Sequence, residues 1–321
     1  MQSYNYVNNW DYIKDTAQYY GVPEVKLTKR KLRQLERLQL SSSIVNTEAR
    51  LYLNKYKDTW VHKKELFKVY YRDEDEYLMD KMHVILQLLM NKELLDMEEL
   101  VLPNSLVTVD DKISGYSMPF IENNINYTIL LKNPKIKLDL KLKFLKEILK
   151  VLKKLADKKE LEDNFFLGDI HEANFLWDMD EQNIKVVDID SAYINNSPIS
   201  ISKFLTFNEK LENVSSKYVM DEESERIIPS RETTIASFWF MFLDTISNGN
   251  SYKWSLNEYY AYISFLKKQG IDEVIIEELN KMYVPSSFAD LDESTLDCIN
   301  TDRDYTLQRA RIPSSDGSYY K

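Results

Sequence analysis

The sequence predicts an α+β fold in two parts, a strand-rich first part and a helical second part, preceded by a helical N-terminal extension. The stretches RLYLNKY and ELFKVYY, rich in Leu, Tyr, Phe and Val and bounded by polar turns, are typical of strands between residues 44 and 71. Leucines recur every three or four residues from Leu138 to Leu155, which indicates a long half-buried helix. The expected division is an extension over 1–43, a strand-rich part over 44–122, a helical part over 123–313 and a flexible tail over 314–321.

Local patterns justify the elements of the first two segments. Helices are expected over 10–20 and 29–40, separated by a turn at Gly21-Val22-Pro23. Residues 73–91 begin with acids and then carry apolar residues at helical spacing, which predicts an amphipathic helix. Strands are expected again over 100–121, with a turn at Asp110-Asp111-Lys112.

The second part combines helices with a short pair of strands. Apolar runs at 174–177 and 184–187, separated by the polar stretch DMDEQN, predict two strands. Residues 233–246 are so dense in aromatics that a helix there must be buried nearly all round. Further helices are expected over 254–268 and 271–282.

Composition narrows the classes of function. The 321 residues carry a net charge of −10, which argues against general affinity for nucleic acid. No run approaches 18 apolar residues and no secretory signal opens the chain, so no membrane span is expected. Cys298 is the single cysteine, which excludes an internal disulfide and a thiolate-rich zinc site. These features together predict a protein of the reducing cytoplasm.

One segment departs from the acidic average. Residues 26–40 hold six basic side chains against one acid, Glu36. With AQYYGVPEV ahead of it, the segment faintly resembles a helix-turn-helix that reads nucleic acid. The alternative, which we favour, is an amphipathic helix packed on the strand-rich part with its lysines in water.

Two pairs of polar residues carry the chemistry. Asp169 and Asn174 lie five apart, and Gly168 permits a tight turn just before the acid. Asp188 and Asp190 lie two apart at a strand end, so their side chains start on the same face. Clustered oxygen ligands of this kind suit Mg²⁺ bound together with substrate phosphates. The pattern therefore favours phosphoryl transfer, in which metals neutralise phosphate charge and an aspartate positions the nucleophile.

These motifs resemble those of the protein-kinase-like superfamily. GDIHEAN is similar to its catalytic loop, and IKVVDID to the strand that ends in the metal-binding D-F-G. Asp188-Ile-Asp-Ser191 looks like a group of bacterial protein kinases that lack the D-F-G glycine. His171 is the residue usual in aminoglycoside and choline phosphotransferases, although we favour a structural role for it over direct catalysis. The resemblance spans roughly residues 44–285 and implies a two-lobed protein-kinase-like fold.

The resemblance also implies a role for individual residues. Lys68 would grip the α- and β-phosphates of ATP, with an acid of the helix 73–91, either Glu76 or Asp80, as its partner. GYSMPFIE resembles the hinge before the second lobe, which would place Met118, Phe120 and Glu122 near the adenine ring. In the catalytic part, Asp169 would position the acceptor hydroxyl, while Asn174 and Asp188 would hold Mg²⁺, with Asp190 as an auxiliary ligand.

Several positions depart from the family pattern. Leu167 stands two residues before the catalytic acid, where most kinases have His. The turn near 41–49 that would cover the phosphates contains no glycine, and the chain has no A-P-E motif. Thr234 stands where kinases often have an Asp that holds the catalytic loop.

The expected function is an ATP- and Mg²⁺-dependent kinase that phosphorylates Ser or Thr of a protein. One alternative is a pseudokinase that binds nucleotide or acts as a scaffold for a protein partner. The other is a small-molecule kinase of the aminoglycoside and choline type.

Overall fold

The structure is a computed structural model that describes residues 10–38, 49–54, 64–70, 76–158, 164–194, 228–249, 251, 254–281 and 293–306. It has an α+β fold that divides into two compact units. The first unit is Met1–Asn123 with Lys185–Ser200, and the second is Asn124–Ile184 with Ile201–Lys321. The expected tail over 314–321, and the glycine-free turn near 41–49 apart from Ala49, lie outside the described residues.

A six-stranded mixed sheet forms the centre of the first unit. Its strands are β1 (Glu24–Leu27), β2 (Glu36–Leu38), β3 (Ala49–Asn54), β4 (Glu65–Tyr70), β5 (Ser105–Val109) and β6 (Lys112–Pro119). Their order across the sheet is β1-β5-β6-β4-β3-β2. The pairs from β5 to β2 are antiparallel, and β1 joins β5 in parallel at the edge. The β5–β6 hairpin turns at Asp110 and Asp111, both with positive φ, as the paired aspartates of the sequence predict.

Three helices accompany this sheet in the described part of the first unit: α1 (Trp10–Tyr19), α2 (Lys29–Gln34) and α3 (Glu76–Met90). Helix α1 packs on α3, where Ile13 is fully buried and the rings of Tyr12 and His83 lie 5.6 Å apart between centroids. Helix α2 begins at Thr28, whose hydroxyl accepts the backbone N–H of Lys31 at 3.2 Å. The sequence predicted α1 and α3 closely.

The extension is not all helical, which corrects the prediction for residues 24–40. Residues 24–27 form β1, and the helix expected over 29–40 ends at Gln34. Leu35 is extended, and residues 36–38 pair with β3 instead of continuing the helix. Leu32 and Leu35 pack against a core cluster of the sheet that includes Tyr52, Phe67 and Val107. The basic segment therefore packs on the strand-rich unit by its apolar residues, although it is not one amphipathic helix.

The second unit is mainly helical. Its elements are β7 (Asn124–Asn126), α4 (Tyr127–Lys132), α5 (Leu138–Ala156), β8 (Phe165–Phe166), β9 (Phe175–Asp178), β10 (Asn183–Val186), α6 (Arg231–Ser247), α7 (Leu256–Lys268) and α8 (Glu273–Lys281). Strands β7, β9 and β10 form a small sheet in the order β10-β9-β7. The chain then passes from β10 into the 185–200 segment, which belongs to the first unit and contains β11 (Tyr193–Ile194).

Helix α6 forms much of the core of the second unit. Every residue from Thr233 to Ser247 is buried, including the rings of Phe238, Trp239 and Phe242, which confirms the prediction from its aromatic density. A capping box begins the helix, because the Ser230 side chain accepts the N–H of Thr233 and the Thr233 hydroxyl accepts the N–H of Ser230. Within the described residues, no helix combines the length and the apolar character needed to cross a membrane.

Candidate functional site

The pairing of β4 with β6 places Lys68 in the interior of the first unit. Lys68 stands opposite Tyr116 in the antiparallel register and is only 4% exposed. The neighbouring residue on β6, Gly115, allows this close pairing. A Cβ added at Gly115 would lie 1.9 Å from the backbone oxygen of Lys68, so a larger residue would push the two strands apart.

Backbone bonds fix the segment that carries Asp188 and Asp190. Val186 forms a parallel bridge with Leu100; its oxygen accepts the N–H of Val101 at 2.9 Å, and its own N–H donates to the Glu99 oxygen at 2.7 Å. Two residues later, Asp188 adopts a left-handed backbone with φ of 60°. This conformation is uncommon for a residue other than glycine, and such residues cluster at functional sites.

The Lys68 ammonium group joins both aspartates, which lie 120 and 122 positions further along the chain. Its Nζ bonds to Asp188 Oδ1 and, at 2.6 Å, to Asp190 Oδ2. The two acids differ in access to solvent, since the side chain of Asp188 is 37% exposed and that of Asp190 only 1%. The structure thus brings together three of the residues that the sequence singled out.

Further donors surround the buried carboxylate of Asp190. Lys81 of α3 donates from Nζ to Asp190 Oδ1 at 2.7 Å and to Ser191 Oγ at 3.0 Å. The Tyr70 hydroxyl donates to Asp190 Oδ2, and the Tyr116 hydroxyl lies 3.4 Å from the same oxygen. Both carboxylate oxygens therefore accept charge-assisted hydrogen bonds from a lysine.

Electrostatics keep this cluster ionised despite its burial. Burial by itself favours the neutral form of Lys68, yet the Asp188 and Asp190 carboxylates outweigh it and hold the Lys68 pKa well above its usual value. In the same way, burial favours a protonated Asp190, but Lys68 and Lys81 hold the Asp190 pKa below its usual range. For Tyr116, burial first and then the Asp190 charge raise the hydroxyl pKa well above normal. The cluster is thus a stable arrangement of two cations and two anions.

The carboxylate partners of Lys68 that the structure shows come from the 188–190 segment. Glu76 begins α3 and Asp80 lies half-buried on it, but the ion pairs of Lys68 are with Asp188 and Asp190. Helix α3 contributes a cation to the cluster, Lys81, where the family resemblance implied an anion. The side chain of Glu76 lies outside the described residues, so the pairing of Lys68 with an acid of the helix 73–91 stays a prediction.

The three residues expected near an adenine ring lie at the end of β6 and just beyond it. Met118 is buried and pairs with Leu66 of β4. Phe120 is half-buried, and its N–H donates to the Lys64 oxygen at 3.1 Å. Glu122 is exposed and forms an ion pair with Lys64.

In the second unit, a tight loop holds Asp169 and Asn174. The Asn174 side-chain nitrogen donates to the backbone oxygen of Asp169 at 2.8 Å, which ties the two ends of the loop. His171 Nδ1 accepts the N–H of Ala173 at 3.1 Å and caps the short 3₁₀ turn Glu172–Asn174. Because Nδ1 accepts, a neutral ring carries its proton on Nε2, which lies 3.4 Å from Asp169 Oδ2. His171 thus caps the turn through Nδ1, and its Nε2 faces the Asp169 carboxylate.

Two of the departures from the family pattern have simple local environments. Leu167 is buried with 7% exposure and packs as an ordinary apolar residue ahead of Asp169. The Thr234 hydroxyl donates to the Ser230 oxygen at 2.8 Å, a bond within the first turn of α6.

Sequence reasoning missed three members of the cluster around Asp190: Tyr70, Lys81 and Tyr116. A signal for Lys81 was present, because it lies three residues after Leu78 and four before Ile85, on the apolar face of α3, where an ionisable residue needs a partner. Tyr70 lies two residues after Lys68 and so shares its face of β4. Tyr116 could be found only from the strand register, which the sequence does not encode locally.

The site does not contain a ready-made cage of metal ligands. Among the described residues, no group of three or more His, Cys, Asp or Glu side chains is arranged to hold a metal ion. A metal ion that enters together with a ligand could reach Asp188, because the Asp188 side chain is 37% exposed. Asp190 is less suited, because it is 1% exposed and both of its oxygens already accept hydrogen bonds. Comparison of the chain with models of protein families and with curated proteins finds no match in either set.

Proposed function

We propose that this protein is an ATP- and Mg²⁺-dependent phosphotransferase with a two-lobed protein-kinase-like fold. In this proposal Lys68 binds the phosphates of ATP, while Asp188 and Asn174 hold Mg²⁺. Asp169 positions an acceptor hydroxyl, most simply that of Ser or Thr in a protein, as the Asp188-Ile-Asp-Ser191 motif suggests. Such chemistry needs positioning and charge neutralisation more than covalent help.

One observation carries the proposal: the buried ion pairs that join Lys68 to Asp188 and Asp190 across 120 and 122 positions of sequence. A lysine and an aspartate that only share a surface have no reason to be buried together, because desolvating two charges is costly. Held within the first unit, the pair provides a cation for phosphate and an anion for a metal within bonding distance of each other.

The arrangement of the sheet also supports the proposal. Along the chain, β2, β3 and β4 are followed by α3 and then by β5 and β6. Across the sheet, β4 is the middle strand of these five and carries Lys68. This agrees with the strand-rich lobe that the resemblance implies, in which the phosphate-binding lysine lies on the third strand and a helix follows it. Strand β1, at the edge beside β5, is an addition to that plan.

Access decides which residues fit Mg²⁺. The Asp188 carboxylate is partly exposed and can turn from Lys68 to a metal ion, whereas Asp190 is buried and fully bonded. Asn174 uses its amide nitrogen in the bond to Asp169, which leaves its amide oxygen for a metal. We therefore assign Asp188 and Asn174 to the metal and give Asp190 an organising role in place of auxiliary ligation.

The deciding experiment measures nucleotide binding and transfer separately. Thermal unfolding with ATP, with and without Mg²⁺, should show stabilisation that is larger with Mg²⁺ and is lost in Asp188→Asn. Transfer of ³²P to generic protein substrates should be abolished in Asp169→Asn, while nucleotide binding remains. Asp302→Asn, an exposed acid of the second unit, serves as the matched control and should behave like the wild type. Absence of any ATP-dependent stabilisation would refute the proposal.

A pseudokinase is the second candidate, and a specific feature favours it. Leu167 is a buried apolar residue at the position where most kinases carry His, so the catalytic loop lacks one polar contact. In this case ATP would stabilise the protein, but ³²P transfer would be absent and Asp169→Asn would change nothing. Transfer to small hydroxyl compounds, followed by mass spectrometry, separates both candidates from a small-molecule kinase.

A further inference from the structure

Asp190 is shared by two lysines that come from different elements. Lys68 of β4 bonds to one carboxylate oxygen at 2.6 Å, and Lys81 of α3 bonds to the other at 2.7 Å. The side chains of all three residues are at most 6% exposed. The two lysines balance the charges of Asp188 and Asp190, but both of them bond to Asp190, and this sharing calls for an explanation.

The explanation follows from what Lys68 must do under the proposed function. A phosphate that binds Lys68 competes with the aspartates for its ammonium group, because Asp188 and Asp190 already take two of its three N–H donors. Asp188 is partly exposed and can be solvated or turn to a cation, but Asp190 is 1% exposed and has no such option. A carboxylate buried without a cation is strongly destabilising. Lys68 can therefore leave Asp190 only if another cation stays behind.

We propose that Lys81 is a positioning residue that keeps Asp190 neutralised, so that Lys68 is free to exchange Asp190 for phosphate. Lys81 also donates to Ser191 Oγ at 3.0 Å, which fixes its ammonium group on the far side of the carboxylate from Lys68. Tyr70 and Tyr116 supply neutral donors on the Lys68 side, at Asp190 Oδ2. These hydroxyls satisfy the oxygen that Lys68 would vacate. The inference rests on the proposed function for its purpose, but the shared role of the lysines can be tested without nucleotide.

The first experiment measures urea midpoints for Lys68→Met, Lys81→Met and the double variant. Each single variant leaves Asp190 with one lysine, so each midpoint should fall moderately. The double variant leaves the carboxylate without a cation, so its midpoint should fall by clearly more than the sum of the single falls, or the protein should not fold at all. Adding Asp190→Asn to the double variant removes the unpaired charge and should restore much of the loss. Additive falls, or no rescue by Asp190→Asn, would overturn the proposal.

A matched control shows whether any pair of buried lysines behaves in this way. Lys141 is 6% exposed, like the two lysines of the cluster, but its Nζ donates to the Leu131 backbone oxygen at 2.9 Å and not to a carboxylate. The pair Lys68→Met and Lys141→Met should therefore be additive. The same excess loss in this pair would assign the effect to global instability and count against the role of Lys81.

The second experiment links the lysine pair to nucleotide binding by calorimetry with Mg²⁺ and ATP. Lys81→Met should weaken binding by about tenfold or more, because Lys68 is now held by Asp190. The variant Lys81→Met with Asp190→Asn should bind more tightly than Lys81→Met alone, since Lys68 is released; a merely structural role for Lys81 predicts no such rescue. The double variant could lose more stability in urea than the sum of the single variants while the wild type binds no ATP. That result would refute the proposed function but support the shared neutralisation of Asp190. Unchanged affinity in Lys81→Met would refute the exchange.

Discussion

Two buried lysines, one in each unit, are held in opposite ways. Lys68 in the first unit bonds to two carboxylates, and its pKa is raised although it is buried. Lys141 in the second unit donates to one backbone oxygen, and burial lowers its pKa. The comparison teaches that burial alone weakens a lysine as a cation, whereas buried carboxylates strengthen it. A site that must hold phosphate needs the first kind of lysine, and that is the kind found beside Asp188.

The largest effect is expected from Asp190→Ala, which removes the buried carboxylate that distinguishes the surroundings of Lys68 from those of Lys141. The change leaves Lys81 without its carboxylate and should lower the free energy of unfolding by about 3–5 kcal/mol. Urea unfolding measures this loss, and Asp188→Ala is the control. Because the Asp188 side chain is 37% exposed and Lys68 keeps Asp190, the control should cost clearly less. Equal losses would contradict the distinction between the two acids.

The same residue predicts the response to acid. The Asp190 pKa is lowered on folding, so its stabilising contribution is complete above the ordinary aspartate pKa of 3.8 and declines as the pH falls below it. Wild type should lose stability in that acidic range more steeply than Asp190→Ala does. Urea midpoints measured across that range test the sign, and parallel curves would contradict it.

Gly115→Ala should disturb the strand that carries Lys68. The added Cβ would lie 1.9 Å from the Lys68 backbone oxygen, and relief requires movement of β4 or β6. We expect a loss of about 1–3 kcal/mol, as for other overpacked sites. Gly249→Ala is the matched control, because its nearest contact is the rotatable Ser247 hydroxyl at 2.8 Å. Equal losses in the two variants would contradict the close pairing at Gly115.

A smaller effect is expected at the loop of the second unit, where His171 and Asn174 bond to the backbone. His171→Ala removes the cap on the turn Glu172–Asn174 and should cost about 1 kcal/mol. His171→Asn keeps an acceptor near the Ala173 N–H and should recover most of that stability. If the enzyme is active, both variants should slow transfer, because neither has the imidazole that faces Asp169. Full stability in His171→Ala would show that the cap contributes nothing.

The smallest effect is expected at Lys141, where the informative quantity is the direction in which stability changes with pH. Lys141→Met removes one hydrogen bond and one buried charge, so the net change should stay within about 1 kcal/mol. The Lys141 pKa is lowered on folding, so the unfolded chain holds the proton more tightly than the folded protein does. The stability of the wild type relative to Lys141→Met should therefore increase as the pH rises toward the ordinary lysine pKa. Lys68 predicts the reverse, because its pKa is raised and its contribution is lost at high pH. Stability measured against alkaline pH distinguishes the two lysines.

Patterns local in sequence predicted most of the helices and the longer strands. The aromatic run of α6 and the leucine spacing of α5 each identify a helix from nearby residues alone. Strands β1 and β2 were missed because they are short and rich in charged residues. For β1 the partner is also distant, since it pairs with β5, some 80 residues further along the chain. Only tertiary pairing gives such segments a strand conformation.

The candidate site divides in the same way. Chemistry and spacing identified Asp188 and Asp190, because acids two apart at a strand end suit a cation. Lys68 was singled out only through the family resemblance. The acids that pair with Lys68 in the structure come from the segment after β10, because the register of the sheet and the turn there decide which charges meet. Lys81 was not singled out, although its place on an apolar helix face indicates that it needs a partner.

The edge strand β1 has a consequence for the whole first unit. Without β1, the outer backbone N–H and C=O groups of β5 would be unpaired. Unpaired groups of an edge strand can bond to another polypeptide chain, which leads to aggregation. Glu24–Leu27 occupy that position, and Val25 and Leu27 close over the apolar cluster beneath. Residues 24–27 thus cover an edge of the sheet that would otherwise be open. We expect a version that starts at residue 44 to self-associate more readily than the full chain.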